Sequence, residues 1–522
     1  MHSPCAAAGA RRASRAAPAK RPLIIVLALV ASLLLAPAGP AVGRSPSATP
    51  TPGGLRWGPC PGPGPATAAM AAGRARQPLA LECALLRVPL DYRRPQGRSI
   101  EIAVSRLRTS TPALRRGVLL LNQGGPGFPG LDLPLEFAQA APPEVLQRYD
   151  LIGFDPRFVG RSTPISCRLV IERVEQVLPW PLPGGVRENA AVARATAAAC
   201  ASAAGQWLPY MTTANTARDM DRIRRALGER RISYWGLSYG TCLGAVYASL
   251  FSQRTDRFVL DSAVDPGRVW RESFRLTGPA VELRFPDFTR WAAARDAQYH
   301  LGAASRQVRR LYFRLAALLD QEPLPLAGGQ VLTGNDFRNA TLQGLYHDLN
   351  FPDLASLWQA VSEQAGANVP ALRRLVLALP ENSVAARFGI ACDDARWPRS
   401  VERYIRDVRH DSRLYPVAGG MAANIWPCAF WPVAPRERPV PITDRGPHNI
   451  LIPQNLRDPV TPLVGALGLR AALGNRARMV VADAGGHGSY LFAGNACTDA
   501  TTTRFLVSGR LPRSDVLCAH TG

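Results

Sequence analysis

The sequence predicts an α/β fold: a mostly parallel sheet with helices on both faces, interrupted late by a long helical insertion. Three observations carry this reading. Continuous apolar runs such as "GVLLL" (117–121) and "YDLIGF" (149–154) have the pattern of strands buried on both faces. Helical stretches alternate with such runs, as parallel pairing requires. From Pro266 to about Pro439 the strand rhythm stops, and it returns with "HNILIP" (448–453) and "ARMVVA" (477–482).

The chain opens with a segment set apart from the fold. Arg11, Arg12, Arg15, Lys20 and Arg21 precede an apolar run from Leu23 to Leu35 and the small residues "APAGPAVG". That run is short for a membrane span of ~20 residues and has the order of an export signal, so residues 1–43 are expected to be a signal peptide. Residues 44–78, beginning "RSPSATPTPGG", are expected to be a linker and N-terminal extension. Core then follows over 79–265, a helical cap over 266–440, and the rest of the core over 441–522. The chain is expected to be secreted, with no stable membrane insertion once the signal is removed.

The elements follow in order. "CALLRVPLDY" (83–92) and "SIEIAVSRL" (99–107) flank the turn segment "RRPQGR", and the second alternates Ile100, Ile102 and Val104 with Glu101, Ala103 and Ser105. "GVLLL" stops at "NQGGPGFPG", and "YDLIGF" stops at "DPRFVGRS". "PPEVLQRY" suits a short helix with proline in its first turn. "TARDMDRIRRAL" (216–227) places Met220, Ile223 and Leu227 at helical spacing. A strand "ISYW", a turn "GLSYG", a helix "TCLGAVYASLF" and a strand "RFVL" come next. In the insertion, "SRQVRRLYFRLAALLDQ" (305–321) and "PALRRLVLAL" (370–379) are helical.

Composition narrows the function. The formal net charge is +23, but of 62 basic residues only Lys20 is a lysine, and the arginines are spread among acids without a dense basic block. A nucleic-acid partner is therefore not expected. Of ten cysteines, Cys5 lies in the expected signal. The others form no C-x-x-C pair, so no metal or redox motif and no cofactor is expected. Proximity in sequence pairs Cys60 with Cys83, Cys167 with Cys200, Cys392 with Cys428, and Cys497 with Cys518. Cys242 remains as a thiol packed behind the "GLSYG" turn.

"GLSYG" places Ser238 between strand and helix, with Gly236 and Gly240 where side chains would collide. A serine at such a turn presents its hydroxyl at the carboxyl edge of the sheet, but needs a base to become a nucleophile. Of the histidines, His487 in "AGGHGS" follows a sheet strand, whereas His448 begins one, at the wrong edge. The histidines of the helical region are expected at the surface or in the cap. Asp458 in "RDPVTP" ends the preceding strand and is the expected carboxylate; Asp261 and Asp265, after "RFVL", are its rivals. The oxyanion donors would be the amides of Gly125, in "NQGGPGFPG", and Tyr239. "GGPG" is not a phosphate loop, since no G-K-[ST] follows.

The segments "VPLDYRRPQGRSIEIAVSR", "LLLNQGGPG", "DLIGFDPRFVGRSTPISC", "YWGLSYGT", "RFVLDSAVDP", "IACDDARWP", "RDPVTP" and "GGHGSY" resemble, in order, those of the secreted actinomycete tripeptidyl aminopeptidases. These are relatives of proline iminopeptidase within the α/β-hydrolase fold. The resemblance spans Val88 to Tyr490 and implies a serine hydrolase with a C-terminal segment of the family's own type. Phe158 stands where the family usually has glycine, and Phe128 where a second small residue is usual; both are expected near the active-site mouth. The relatives bind the substrate amine with acids reaching in from the cap, which makes Glu272 in "VWRESF" and Asp394 in "ACDDARWP" the candidates here. The expected activity is release of short peptides from a free N-terminus. The competing reading is an esterase or amide hydrolase acting on a small lipid, antibiotic or aryl ester. A binding protein on a hydrolase scaffold is disfavoured by the complete Ser-Asp-His set, and epoxide hydrolase or dehalogenase chemistry by serine at the elbow.

Overall fold

The structure, a computed structural model, describes residues 55–61, 80–326, 330–364, 375 and 379–520. The expected signal and most of the expected linker lie outside the described residues, as does the helix expected at 370–379 apart from Leu375 and Leu379.

Ten strands form one sheet: β1 (Gly58–Pro59), β2 (Leu81–Pro89), β3 (Ser99–Leu107), β4 (Gly117–Asn122), β5 (Tyr149–Phe154), β6 (Ile232–Leu237) and β7 (Thr255–Asp261), then, beyond the insertion, β10 (Ile450–Arg457), β11 (Ala477–Gly485) and β12 (Val516–Cys518). Their spatial order is β1-β2-β3-β5-β4-β6-β7-β10-β11-β12. β1, β2 and β3 pair antiparallel, as do β3 and β5. From β5 to β12 every pairing is parallel. All six residues of β4 and of β5 are buried, which is why those strands are continuously apolar rather than alternating. In β3, where the sequence alternates, Ile100, Ile102 and Val104 face the core.

The helices Thr213–Ala226 and Tyr239–Leu250 pack against one another on one face of the sheet. The helix Ala496–Ser508 packs with β7, β10 and β11 and carries Phe505 and Leu506 into the cluster of the other face. The single helical turn Pro143–Leu146 occupies the place of "PPEVLQRY". The helix Val186–Ala204, rich in alanine, has no counterpart in the apolar periodicity of its sequence. Among the described residues between β7 and β10, the regular structure is helical apart from one ribbon, β8 (Leu324–Pro325) paired with β9 (Val331–Leu332). This insertion has a core of its own, in which Phe285, Phe288, Tyr312, Phe337 and Trp358 are fully or almost fully buried.

Disulfides join Cys60 to Cys83, Cys167 to Cys200, Cys392 to Cys428 and Cys497 to Cys518. Cys242 is a buried free thiol whose pKa burial raises. Four disulfides are consistent with an oxidising, extracellular compartment. No helix among the described residues is long and apolar enough to cross a membrane.

Phe158 departs from its expected place. It is fully buried, packs on Trp207 with ring centroids 5.9 Å apart, and does not line the cavity onto which Ser238 and His487 open. Its φ is 70°, the left-handed region, which explains why glycine suits this position. Its neighbour Arg157 is completely buried and pairs with Asp219 through Nε and Nη2, both at 2.7 Å. It also donates to the carbonyls of Leu90, Tyr210 and Pro89, locking the loop after β5 onto the end of β2 and the helix Thr213–Ala226.

Removing one partner of a buried pair strands the other charge. Arg157→Leu is therefore expected to destabilise the fold by ~3–5 kcal/mol in urea unfolding. The double variant Arg157→Leu/Asp219→Leu should recover part of that loss; equal effects of the single and double changes would show that the pair is not what holds the loop.

Candidate active site

β6 runs directly into Ser238, whose φ of 59° and ψ of −122° place it in a region few side chains adopt, and a helix starts at the next residue. Such a conformation costs of order 1–3 kcal/mol and persists only where neighbours fix it. Here they do. Ser238 N–H donates to the Asp261 carbonyl at 3.0 Å, and the Ser238 carbonyl accepts from the Thr241 hydroxyl at 2.7 Å. Thr241 Oγ1 in turn accepts from the Val264 amide at 3.0 Å. The flanking glycines are steric requirements: a Cβ on Gly236 would lie 2.5 Å from the Gly240 carbonyl oxygen, and one on Gly240 2.7 Å from that of Asn122.

The loop after β4 closes over this turn. Asn122 Oδ1 accepts from the Gly124 amide at 3.1 Å, and Gly124 lies so close to the elbow that a Cβ there would be 3.0 Å from Tyr239 N. Gly125 and Tyr239 line the same cavity as Ser238. Neither amide has a protein acceptor among the described residues, so both remain available as donors to an oxyanion.

His487 follows β11 in a loop held from three sides. Its N–H donates to the Tyr346 carbonyl at 2.7 Å. Asn455 Nδ2 donates to the carbonyls of Gly486 and Gly488, both at 2.9 Å. The Gly488 amide donates to Ser262 Oγ at 2.9 Å, and the Ser489 and Tyr490 amides donate to the Asp261 carboxylate at 2.8 and 2.9 Å. His487 Nδ1 lies 3.0 Å from Asp458 Oδ2 and 3.2 Å from Oδ1.

Asp458 is almost wholly buried and also accepts from the amides of Val460 and Thr461 and from the Thr461 hydroxyl. A carboxylate so satisfied can hold the ring in place through Nδ1, an arrangement in which Nε2 would face the cavity as a base. The rivals are otherwise engaged. Asp261 faces backbone amides rather than the imidazole, and burial pushes its pKa up to about 7 against the pull of those two amides. Asp265 caps a short turn at the Gly267 amide and pairs with Arg268.

Ser238 and His487 open onto one cavity of about 760 Å³. The core supplies Phe128, Phe137 and Trp235; the insertion supplies Trp270, Phe274, Trp426, Tyr346 and Arg387. His347, also from the insertion, lines the cavity beside Phe492; burial, then nearby His487, lowers its pKa to about 4, so it is neutral. The Tyr346 and His487 rings lie with centroids 5.4 Å apart at an interplanar angle of 77°.

The two candidate amine-binding acids are not brought to this cavity. Glu272 is about half exposed and pairs with Arg271 and Arg275. Asp394 is half-buried behind the Ser238 turn, where it accepts from the Thr213 amide, the Thr213 hydroxyl and Trp270 Nε1, and desolvation raises its pKa to about 6. The carboxylates that do line the cavity are Glu136, Glu172 and Asp336. Asp336 is committed to capping its own helix through Thr333, and Glu172 is exposed. Glu136, on the helix Leu133–Ala140, has no hydrogen-bond donor among the described residues, and burial, then Asp132, raises its pKa. Sequence reasoning missed it because a lone acid on a short amphipathic helix carries no motif.

A family described as TAP-like protein matches residues 415–518. The chain is 36% identical over 462 residues to a tripeptidyl aminopeptidase of Streptomyces lividans, covering 85% of this chain and 84% of that protein. It is 30% identical over 549 residues to the serine protease Hip1 of Mycobacterium tuberculosis, covering 97% and 99%. A protein of the same organism named carboxylesterase B is 31% identical over 461 residues, covering 84% and 86%.

Ser238→Ala is expected to lower turnover by several orders of magnitude with the melting temperature unchanged, and Asp458→Asn by about 10⁴-fold in kcat. A severe loss at Asp265 with a mild one at Asp458 would move the acid. Asp261 carries a pH signature instead. Its folded pKa lies above that of an unfolded aspartate, so the folded state holds a proton that the unfolded chain has already released, and stability falls as pH rises from about 4 to about 7. Thermal melts of Asp261→Asn against the parent should therefore shift in the variant's favour across that window, and a difference independent of pH would refute this account.

Proposed function

Since the chain belongs to the family of the Streptomyces tripeptidyl aminopeptidases, serine hydrolases of the α/β-hydrolase fold, we propose that it is a secreted exopeptidase releasing short peptides from free N-termini. Ser238 attacks the scissile carbonyl as His487 Nε2 takes its proton, and Asp458 stabilises the imidazolium. The amides of Gly125 and Tyr239 receive the oxyanion, the imidazolium protonates the leaving amine, and water resolves the acyl-enzyme with His487 again as base.

The observation that carries the peptide reading over a simple ester is Glu136. A half-buried carboxylate without a protein partner, in the cavity that holds the serine, is the group an α-ammonium requires. A neutral ester offers it nothing. The esterase reading is kept because a relative is named carboxylesterase B and the cavity wall is mostly apolar. Export is supported by the signal-like N-terminus and the four disulfides.

N-acetylation of a tripeptidyl substrate should lower kcat/KM about a hundredfold (~3 kcal/mol), because Glu136 then loses its cation. Glu136→Gln should raise KM for the free peptide and leave the acetylated one unaffected. Equal cleavage of blocked and free peptides would replace the exopeptidase with the esterase.

A further inference from the structure

Arginines buried in this protein have acceptors. Arg157 pairs with Asp219, Arg284 with Asp287, and Arg271 with Asp407. Arg476, which has no close carboxylate, gives Nη1 to the carbonyls of Ala248 and Thr443, and Arg257 gives its own to that of Leu506. Arg387, partly buried, makes no such bond. Its Nε is shielded from solvent without a hydrogen-bond partner, and no carboxylate or carbonyl accepts from its guanidinium among the described residues. Its guanidinium carbon lies 5.2 Å from the centroid of the Trp426 ring. Burial lowers its pKa, with only Tyr346 opposing, and an arginine stays charged through such a shift.

The position of this cation gives it meaning. Arg387 lines the cavity that contains Ser238 and His487. Its backbone abuts the oxyanion loop: a Cβ on Gly127 would lie 2.9 Å from Arg387 N. The ring electrostatically coupled to it, Tyr346, stands edge-on to His487. A guanidinium whose Nε is shielded from water and which has no anion beside it keeps its donors unused, and its planar fork matches a carboxylate.

We propose that Arg387 is the anion-receiving group of the active-site cavity and selects substrates that carry a carboxylate close to the scissile bond. The carboxylate has two possible sources: an acidic side chain flanking that bond, or the free C-terminus of a short peptide. This rests on the peptidase reading and extends it, since the substrate is then recognised by both charges, its ammonium at Glu136 and its carboxylate at Arg387.

The test uses three peptides with free N-termini: a neutral sequence ending in an amide, the same sequence with a free C-terminal carboxylate, and an amide with glutamate beside the scissile bond. The parent protein should cleave at least one carboxylate peptide with a kcat/KM about ten- to a hundredfold above the neutral amide, and which one identifies the source. Arg387→Met should bring the ratio of kcat/KM on the preferred carboxylate peptide to that on the neutral amide down to about one, and should melt no lower than the parent. Arg387→Lys should retain part of the preference, and serves where the methionine variant fails to fold. Equal kcat/KM on all three peptides by the parent, or a uniform loss across them in the variants, overturns the proposal. Indifference to N-acetylation overturns the exopeptidase reading alone, because the carboxylate comparison does not involve the substrate amine.

Discussion

The end of β7 sets the distance between the proposed nucleophile and base. The Asp261 carbonyl accepts from the Ser238 amide at 3.0 Å, and the carboxylate of the same residue accepts from the Ser489 and Tyr490 amides at 2.8 and 2.9 Å. One residue thus holds both the strained turn and the loop that carries His487. Next to it, Ser262 accepts from the Gly488 amide, and the Ser262 amide donates to the Pro453 carbonyl of β10. These bonds are buried, where an unmade bond costs more than an exposed one. Burial drives Asp261 toward its protonated form while two amides resist, so the anchor is strongest where its desolvation is most nearly compensated.

The insertion is bound to that frame by charge and adds the remaining constraint on the histidine. Arg457, at the end of β10, pairs with Asp287 of the insertion and with Asp483 of β11. Arg284, fully buried, pairs with Asp287 and donates to the Leu345 carbonyl at 3.1 Å. The turn so fixed presents the Tyr346 carbonyl to the His487 amide. The insertion therefore helps to position the proposed base as well as walling the pocket, so that the shape of the pocket and the proposed chemistry meet within a few residues.

What the sequence disclosed and what it withheld divide along a physical line. The elbow was legible because sterics at a strand–helix turn demand glycine at fixed spacing, and Ser238, Gly236 and Gly240 satisfy that locally. Asp458 and His487 were legible because each closely follows a strand, and strand ends in a parallel sheet converge at one edge. β4 and β5 announced themselves as unbroken apolar runs, whereas the alanine-rich helix Val186–Ala204 and the three-residue β12 carry too little periodicity to be seen. The cavity charges were not legible. Whether an acid on a helix faces a pocket depends on how helices distant in sequence cross, and Glu136, Glu272 and Asp394 look alike until the packing is known.

Asp394 shows what such a misplaced acid does instead. It takes three hydrogen bonds, two from Thr213 and one from Trp270 Nε1. Thr213 Oγ1 also lies 2.9 Å from the Tyr239 hydroxyl, and the Tyr239 and Trp270 rings are 5.5 Å apart. Trp270 belongs to the aromatic wall that continues through Phe274 to Trp426. Asp394 therefore ties the wall of the cap to the residue whose amide would receive the oxyanion, from behind and out of contact with substrate. Cys392, two residues away, is bonded to Cys428, which keeps this helix end in register with the segment carrying Trp426. A carboxylate that looked like a binding group from its sequence works as a joint, and the wall it holds in place is the surface against which Arg387 is stacked.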